Sequence, residues 1–436
     1  MYLSQRSSTA RPDVAGEGVD IQAEPPSRRW LAVGPNVVLL GFTSLVTDVS
    51  SEMVGAALPL FLTVRLGLSP LQFGTIDGTV QLVTAIAAVI GALLADRWRR
   101  HKEVAAAGYG IGALTKLGLL SATSWGPAAG WMAADRAGKG IRTAPRDALI
   151  ALSAPRERWG EAFGLHRALD TGGALFGPIL AFAILSATAS AYDAVFVTGF
   201  WVALIGFAVL VLFVDNPARR SGAPVVPPAW RDAARLLVLP RFRSVIAAAG
   251  AVSVVTASDS FLFLAFRRRS GLEQRWFPLL FVGTAVVYLV AAVPLGRLAD
   301  RVSASRVFVI GQLGLVAVYV ALSLPSPGRP ALAIVLVGLG GYYAATDGVL
   351  AALCSHVAPH DQRASALAIV GVVLAAGRAV AAFAFGVSWD RWGPRHTTAL
   401  FAVALVVATG VAAWILRHLD RVASTDDAHT QPAQVG

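Results

Sequence analysis

Leu94-Ala95-Asp96-Arg97 recurs 204 residues further on as Leu298-Ala299-Asp300-Arg301. The same offset, without a gap, pairs Arg65, Gly67 and Leu68 with Arg269, Gly271 and Leu272, and Phe73 with Phe277. It pairs Val83, Ala87, Ala88 and Val89 with Val287, Ala291, Ala292 and Val293, then Pro155 with Pro359 and Gly173 with Gly377. Alanine and valine coincide by chance in apolar sequence. Asp-Arg pairs, prolines and glycines held in one register do not, so the chain reads as two copies of one unit.

Composition names the solvent of that unit. Of 436 residues, 56% are hydrophobic and 14% charged, against roughly 25% charged in a soluble domain. The 37 Lys and Arg outnumber the 26 Asp and Glu, giving a net charge of +11. These figures exclude a disordered or coiled-coil protein and argue against a soluble nucleic-acid binder, whose basic surface needs far more polarity. Lipid is the remaining solvent. Cys354 stands alone, which excludes a disulfide framework and a cysteine metal cluster; no metal site or cofactor is expected.

A helix needs about 20 apolar residues to cross a bilayer. The chain offers twelve such stretches, near 35–63, 72–95, 103–123, 128–152, 160–187, 193–214, 244–266, 276–298, 306–324, 330–356, 364–388 and 396–417. None alternates with period two, which excludes a transmembrane barrel. The expected fold is an all-α membrane protein of two six-helix bundles, 35–214 and 244–417. A proline-rich linker at 215–243 joins them, and polar tails lie at 1–34 and 418–436.

Cations set the orientation. Arg97, Arg99, Arg100, Lys102, Arg156 and Arg158 fall in loops that are cytoplasmic if the N-terminus is inside, as do Arg219, Arg220, Arg231, Arg235, Arg241 and Arg243. The opposite loops near 124–127 and 188–192 hold none. Arg267, Arg268, Arg269, Arg391 and Arg395 run against the trend. The first half decides for both termini in the cytoplasm and a chain in the inner (plasma) membrane.

Two parallel six-helix repeats, with a substrate site between them near the midplane, describe a known transporter architecture. The core resembles the major facilitator superfamily. That family carries Gly-x-Leu-x-Asp-Arg between its second and third helices, and Gly296-Arg297-Leu298-Ala299-Asp300-Arg301 has the full form. In the first repeat Gly91 is displaced by one position and Ala92 stands in its place, ahead of Asp96 and Arg97. The family's fourth-helix motif appears as Arg136-Ala137-Gly138-Lys139-Gly140. The fifth-helix antiporter motif appears as Gly164, Gly173, Gly177 and Pro178, with Ala181 and Phe182 replacing its last glycines. Asp48-Val49-Ser50-Ser51-Glu52-Met53 and the stretch from Asp135 to Ala148 resemble an uncharacterised prokaryotic branch of the superfamily. The resemblance implies a monomeric secondary transporter and, through the fifth helix, a drug or metabolite:proton antiporter. It also implies a proton-transfer role for Arg136.

Ionisable groups at membrane depth cost several kcal/mol unless paired or hydrated, so they are the candidate working residues. Asp48 and Glu52 share a face of the first span. They form a proton site, a cation-binding pair, or a pair neutralised by arginines of the fourth or fifth span. The fourth span carries Asp135, Arg136, Lys139, Arg142, Arg146 and Asp147, and Pro145 disturbs its hydrogen bonding near Ile141, with carbonyls exposed to a cavity as one outcome. Lys139 and Arg142 join Arg136 as coupling or substrate residues. Arg146 and Asp147, with Asp96, Arg97, Asp300 and Arg301, are expected at a cytoplasmic gate, Arg146 within reach of Asp96 or Asp170. In the fifth span His166, Arg167 and Asp170 are candidates, and the His166/Asp170 spacing suits either a proton relay or a structural histidine. Asp77 and Lys116 lie near span ends and read as snorkelling groups. In the second half Asp259, Tyr342, Tyr343, Asp347 and Arg378 are expected to line the substrate cavity, the two carboxylates either free or paired with Arg378.

Proton-coupled efflux of a small molecule by rocking of the two halves is the function these residues fit. Uptake or exchange of an anionic metabolite is the alternative, motivated by the fourth-span cations; a membrane sensor or enzyme on the same fold is remote. No Gly-x4-Gly-Lys-Ser/Thr loop is present, so ATP is not the expected energy source.

Overall fold

The computed structural model describes residues 34–216 and 236–430 other than 99, 189, 360 and 361. Of the expected peripheral segments, the tail 1–34 lies outside the described residues apart from Gly34. The linker 215–243 is described only at its two ends, and 418–436 is described to Thr430. Among the described residues every regular element is helical.

Helix α1 (Pro35–Leu60) runs into a π-helical turn (Phe61–Arg65). Then come α2 (Pro70–Trp98), α3 (His101–Leu120), α4 (Trp125–Ser153), α5 (Trp159–Ala187) and α6 (Tyr192–Phe213). The second half begins with two short helices, α7a (Pro240–Ser253) and α7b (Asp259–Ser270). It continues with α8 (Pro278–Arg301), α9 (Ala304–Ser323) and α10 (Arg329–Val357). The last stretch, Arg363–Thr430, is two helices divided at Gly393, whose φ of 74° takes the chain out of the helix. They are α11 (363–392) and α12 (394–430). A left-handed φ suits glycine, and Pro394 opens the next helix with φ already set.

Eight of these stretches are apolar and long enough to cross a bilayer on composition alone, α11 and α12 being counted as one. Helix α3 misses that standard through Lys102, Glu103 and Lys116, and α4 through six charged residues. Lys116 and Arg142 are nevertheless buried inside the bundle. Helix α6 shows the opposite case. It has no charge after Asp193, and it buries one stripe, Tyr192, Val195, Phe196, Gly199, Ala203, Gly206 and Leu210. Its glycines meet Val54 and Thr47 of α1, as small residues do where membrane helices approach closely.

The expected seventh span, 244–266, is not one helix. It breaks over residues 254–258, and Ser258 caps the new helix, its hydroxyl accepting from the Phe261 N–H at 3.5 Å. A break in hydrocarbon strands backbone groups at several kcal/mol each. Tyr319 of α9 fills the gap: its hydroxyl accepts from the Ala257 N–H at 2.8 Å and donates to the Val255 carbonyl at 2.9 Å.

Pro145 leaves the Ile141 carbonyl without its helical donor. That carbonyl does not open to a cavity. It lies against Gly91 of α2, where any Cβ would collide with it. Gly91, displaced by one position from the motif, is thus the residue that lets α2 and α4 touch.

The two halves meet along α2 with α11 and along α5 with α8. We call the end where α1 starts the terminal face, and the other the far face. The contacts between halves gather toward the far face. A Cβ on Gly78 would lie 2.8 Å from the Ala379 carbonyl, one on Gly386 2.6 Å from the Pro70 carbonyl, and one on Gly74 would collide with the Ala382 carbonyl. Phe73 packs edge-on to Phe261 at 4.8 Å, beside Phe385 and Trp389. Phe182 stacks on Trp276 at 5.1 Å, and Tyr192 donates to Gln274 at 3.0 Å. Asp390 accepts from Ser69 Oγ and the Leu71 N–H. Toward the terminal face, Gly164, Gly296, Gly348 and Gly371 look onto open space, and Arg167 and Asp347 are exposed. The halves are closed at the far face and parted at the terminal face.

Candidate functional site

The i, i+4 spacing of Ser44, Asp48 and Glu52 puts all three on one face of α1. The opposing face of α4 answers each with a cation. Arg146 Nη1 donates to Ser44 Oγ at 3.2 Å, Arg142 Nη2 to Asp48 Oδ1 at 3.0 Å, and Lys139 Nζ to Glu52 Oε1 at 3.3 Å. Burial grades along this ladder. Arg142 and Asp48 are 6% and 10% exposed at the side chain, whereas Lys139 and Glu52 are 34% and 38% exposed. The middle rung is dry and the Glu52 rung is wet. The Arg142 guanidinium also stacks on the Tyr109 ring, 4.3 Å from its centroid.

Helix α5 completes the cluster. A Cβ on Gly173 would lie 2.9 Å from Asp48 Cβ, and one on Gly177 2.7 Å from both the Met53 nitrogen and the Val49 oxygen. The motif glycines therefore press α5 directly onto the acidic stretch of α1. Gly164 looks onto open space. One turn from Gly173, Asp170 interacts with Asp48 and lies 3.7 Å from Arg146. Two carboxylates and two guanidiniums thus share one buried site.

Several expected placements change. Arg146 lies in this cluster within the first half, bound to Ser44, to its neighbour Asp147 (3.0 Å) and, of its two expected partners, to Asp170. Arg97, Asp300 and Arg301 are exposed at the terminal face, which stands open, so they seal nothing in this state; the Asp96 side chain lies outside the described residues. No hydrogen bond joins His166 to Asp170 among the described residues. His166 is buried where α5 passes Gly41 of α1, and both its ring nitrogens lack a hydrogen-bond partner among the described residues. Asp170 is drawn instead toward Arg146. Lys116 does not snorkel: it is 2% exposed, donating to the Gly112 carbonyl at 2.7 Å and pairing with Asp135 at 3.5 Å. Arg136 lies 3.9 Å from that same Asp135.

The second half holds a sparser counterpart. Tyr343 donates to Asp259 Oδ1 at 2.7 Å, across α10 and the start of α7b. Tyr343 is the repeat mate of Lys139 at the offset of 204, so the same position of both fourth helices binds a carboxylate of the neighbouring first helix. Tyr342 lies beside Tyr343, ring centroids 5.1 Å apart. Arg378 of α11 is within electrostatic reach of Asp259, Asp347 and both tyrosines. Asp347 faces the opening and feels Arg167 from across it.

Asp77, expected to snorkel, lies instead at the junction of the two halves. It lies between Gly74 and Gly78 in the α2–α11 seam, its charge neighbours being Arg136 in its own half and Arg378 in the other. An acid flanked by close-packing glycines was the available signal. On the far face a separate cleft of about 370 Å³ lies above the aromatic cluster, lined by Thr63, Phe73, Phe261, Arg267, Arg268 and Trp389 among others. It is remote from the ladder. No cluster of metal-ligating side chains exists among the described residues.

A family model described as Major Facilitator Superfamily matches residues 40–282 and 270–434. This chain belongs to the Major Facilitator Superfamily. It is a membrane-embedded secondary transporter and not an enzyme. An uncharacterized MFS-type transporter of Methanocaldococcus jannaschii is 28% identical to this transporter over 387 residues, 86% of this chain and 93% of the relative. An uncharacterized protein of Mycobacterium tuberculosis is 30% identical over 156 residues, 36% of this chain and 38% of that one. Among solved structures, the nucleoside transporter NupG superposes with a TM-score of 0.70 at 14% identity, over 88% of this chain and 99% of that one. A bacterial homolog of the human lysosomal transporter Spinster gives 0.70 at 15%, over 91% and 98%. A POT family transporter gives 0.71 at 14%, over 87% and 95%. At these identities the likeness is one of fold.

Proposed function

We propose that this transporter exports a small organic molecule in exchange for protons, acting as a monomer in the inner membrane with both termini in the cytoplasm. The observation that carries the reading is the dry Asp48–Arg142 pair with Asp170 and Arg146 beside it. Protonation of Asp48 removes the counter-charge of Arg142 and leaves Asp170 as the nearest acceptor. The cost of a buried unpaired cation then favours the state that hydrates or re-pairs it. Because α5 is pressed onto α1 at Gly173 and Gly177, a change at Asp48 moves α5 with it, and α5 bears on α8 of the other half.

The terminal opening is the loading face of an exporter in this orientation. Its walls offer Glu52, Lys139 and Arg167 from one half, and Asp259, Tyr343, Asp347 and Arg378 from the other, with Tyr342 buried behind Tyr343. Both charge signs and an aromatic ring suit a polar organic solute. The nucleoside and peptide transporters that share the fold are consistent with that class.

The test is reconstitution in liposomes with an imposed pH gradient. Substrate-dependent proton flux that Asp48→Asn abolishes supports the reading. Substrate movement at normal driven rates in Asp48→Asn, or movement with no proton flux, overturns proton coupling at this site. The exposed Arg167 beside the opening favours a second reading, uptake of an anionic metabolite. Rescue of a metabolite requirement, with no gain in tolerance to toxic solutes, decides for uptake.

A further inference from the structure

Arg267 and Arg268 lie in the last turn of α7b, on the far face, where the trend of the loop charges argues against cations. Two other arginines that run against the trend are bound to backbone at the end of α9. Arg269 donates to the carbonyls of Leu322, Leu324 and Pro325, and Arg395 to that of Ser323. Arg267 and Arg268 make no hydrogen bond or ion pair among the described residues, and the Arg267 Nε is buried without an acceptor. Two far-face carboxylates are engaged elsewhere. Glu273 pairs with Arg275 at 2.8 Å, and Asp390 accepts from Ser69 Oγ at 3.2 Å and from the Leu71 N–H at 3.1 Å.

The repeat shows that the fold does not need these two charges. At the offset of 204, Arg269 keeps its mate Arg65, but the mates of Arg267 and Arg268 are Thr63 and Val64. All four of these unlike residues line the far-face cleft of about 370 Å³. One wall therefore carries two guanidiniums, where the equivalent wall from the first half carries a hydroxyl and an alkyl group. That hydroxyl is already donated to the Pro59 carbonyl at 2.6 Å. Phe73, Phe261 and Trp389 supply aromatic surface, and no acidic side chain lines the cleft among the described residues. Trp389 is 6% exposed, and its ring N–H has no acceptor. Two buried donors without acceptors, each costly to leave so, thus belong to side chains of one cleft. Its volume falls within the range of small-molecule sites, about 300–1,000 Å³.

We propose that the far-face cleft binds an organic anion with an apolar body, its charged group on Arg267 and Arg268 and its body on Phe73, Phe261 and Trp389. Free donors select a ligand made of acceptors, and carboxylate, sulfonate or phosphate oxygens take charge-assisted bonds from a guanidinium. A turn of the Trp389 ring brings its N–H to the same oxygens. The walls set the rest of the ligand. An inorganic anion meets the arginines and leaves the rings bare, and a neutral aromatic does the reverse. A soluble aromatic acid and the headgroup of an anionic lipid share this chemistry. The site is separate from the substrate-facing cluster, which lies at the other opening.

The test measures binding and needs neither transport nor a gradient, so its failure leaves the proposed proton coupling untouched. The purified transporter in maltoside micelles is titrated with naphthalene-2-sulfonate in a calorimeter, and the heat of empty micelles is subtracted. One saturable site is expected. Arg267→Gln and Arg268→Gln should each weaken it about tenfold or more, and Trp389→Phe about threefold to tenfold. Arg275→Gln, whose guanidinium is paired with Glu273, should leave it unchanged. Naphthalene-2-sulfonamide, which lacks the charge, and inorganic phosphate, which lacks the body, should each bind about tenfold more weakly or less. Phosphatidylglycerol added to the micelles, with phosphatidylcholine as the control, separates the two sources. Competition that Arg267→Gln removes assigns the cleft to a lipid headgroup, and its absence assigns it to a soluble anion. Failure of both the probe and phosphatidylglycerol to bind overturns the proposal. So does probe binding that Arg267→Gln leaves intact, or a sulfonamide that binds as well as the sulfonate. A loss seen in Arg378→Gln but not in Arg267→Gln places the probe at the terminal opening and also overturns it. If Arg267→Gln does not fold, Val64→Trp carries the test, since it fills the cleft from the opposite wall and should abolish binding; binding that survives it overturns the site.

Discussion

Replacing Asp48 by alanine isolates the dry rung of the α1–α4 ladder. Asp48 and Arg142 lie 3.0 Å apart with side chains 10% and 6% exposed. Removing one partner of such a pair costs about 3–5 kcal/mol, because the other charge is left buried. Two neighbours place this case at the lower end. The guanidinium keeps its stacking on Tyr109 at 4.3 Å, and Asp170 is close enough to take part of the charge. The expected loss is therefore about 3 kcal/mol, roughly a hundredfold in the ratio of folded to unfolded protein. Adding Arg142→Met removes the stranded cation, and replacing a buried pair by apolar groups is often neutral. The double variant should return to within about 1 kcal/mol of the parent, a coupling of at least about 2 kcal/mol, since Arg142→Met alone strands Asp48. Equilibrium unfolding in mixed micelles, followed by far-UV circular dichroism, measures the parent, Asp48→Ala, Arg142→Met and the double variant. A loss below about 1 kcal/mol in Asp48→Ala, or strictly additive effects in the double variant, would overturn this account of the rung. Either result would mean that water screens the pair or that Arg142 is balanced elsewhere.

Tyr319→Phe removes both hydrogen bonds that close the α7 break. It should cost about 2–6 kcal/mol, two stranded backbone groups at about 1–3 each; amide exchange at Ala257, faster in the variant, checks the cause. Gly177→Ala forces a methyl to 2.7 Å from the α1 backbone and should destabilise by about 1–3 kcal/mol. Gly164→Ala, facing open space, should be neutral or slightly stabilising; melting curves of the two separate them. Tyr343→Phe leaves Asp259 without its 2.7 Å donor and should cost about 1–3 kcal/mol, measured in the same unfolding assay, with proton flux through the first half retained.

The architecture was legible because a repeat shows itself without any structure. The offset that aligned the Asp-Arg pairs also aligned Lys139 with Tyr343, and these proved to be equivalent carboxylate binders. The Asp48 and Glu52 pairing with the fourth helix was legible in outline, because buried charge demands a partner and α4 holds the cations. Which cation meets which acid was not legible, since it depends on the rotation of α4 about its axis. The absence of a hydrogen bond between His166 and Asp170 was not legible for the same reason. A spacing of four residues shares a face only loosely, and the pull of Arg146 on one residue and the packing of α1 on the other divided them. The break in α7 is invisible to hydropathy, because 244–266 is apolar throughout save for its serines, threonine and Asp259. Its signal was local: Ser258 followed by Asp259 is a helix start in the middle of a span. Asp77 was misplaced because nearness to a span end implies water only if no neighbouring helix covers that end, and here α11 does.

The α2–α11 seam has one more consequence. Gly74, Gly78 and Gly386 bring backbone against backbone, with no side chains meshed between the two helices at those points. Interlocked ridges must be lifted out of their grooves before helices can turn on each other; bare backbones need not. The seam is thus a smooth bearing, and rolling there needs no repacking step. A methyl group at any of the three positions would act as grit, and an alanine at Gly78 should slow the exchange between open faces more than it unsettles either one.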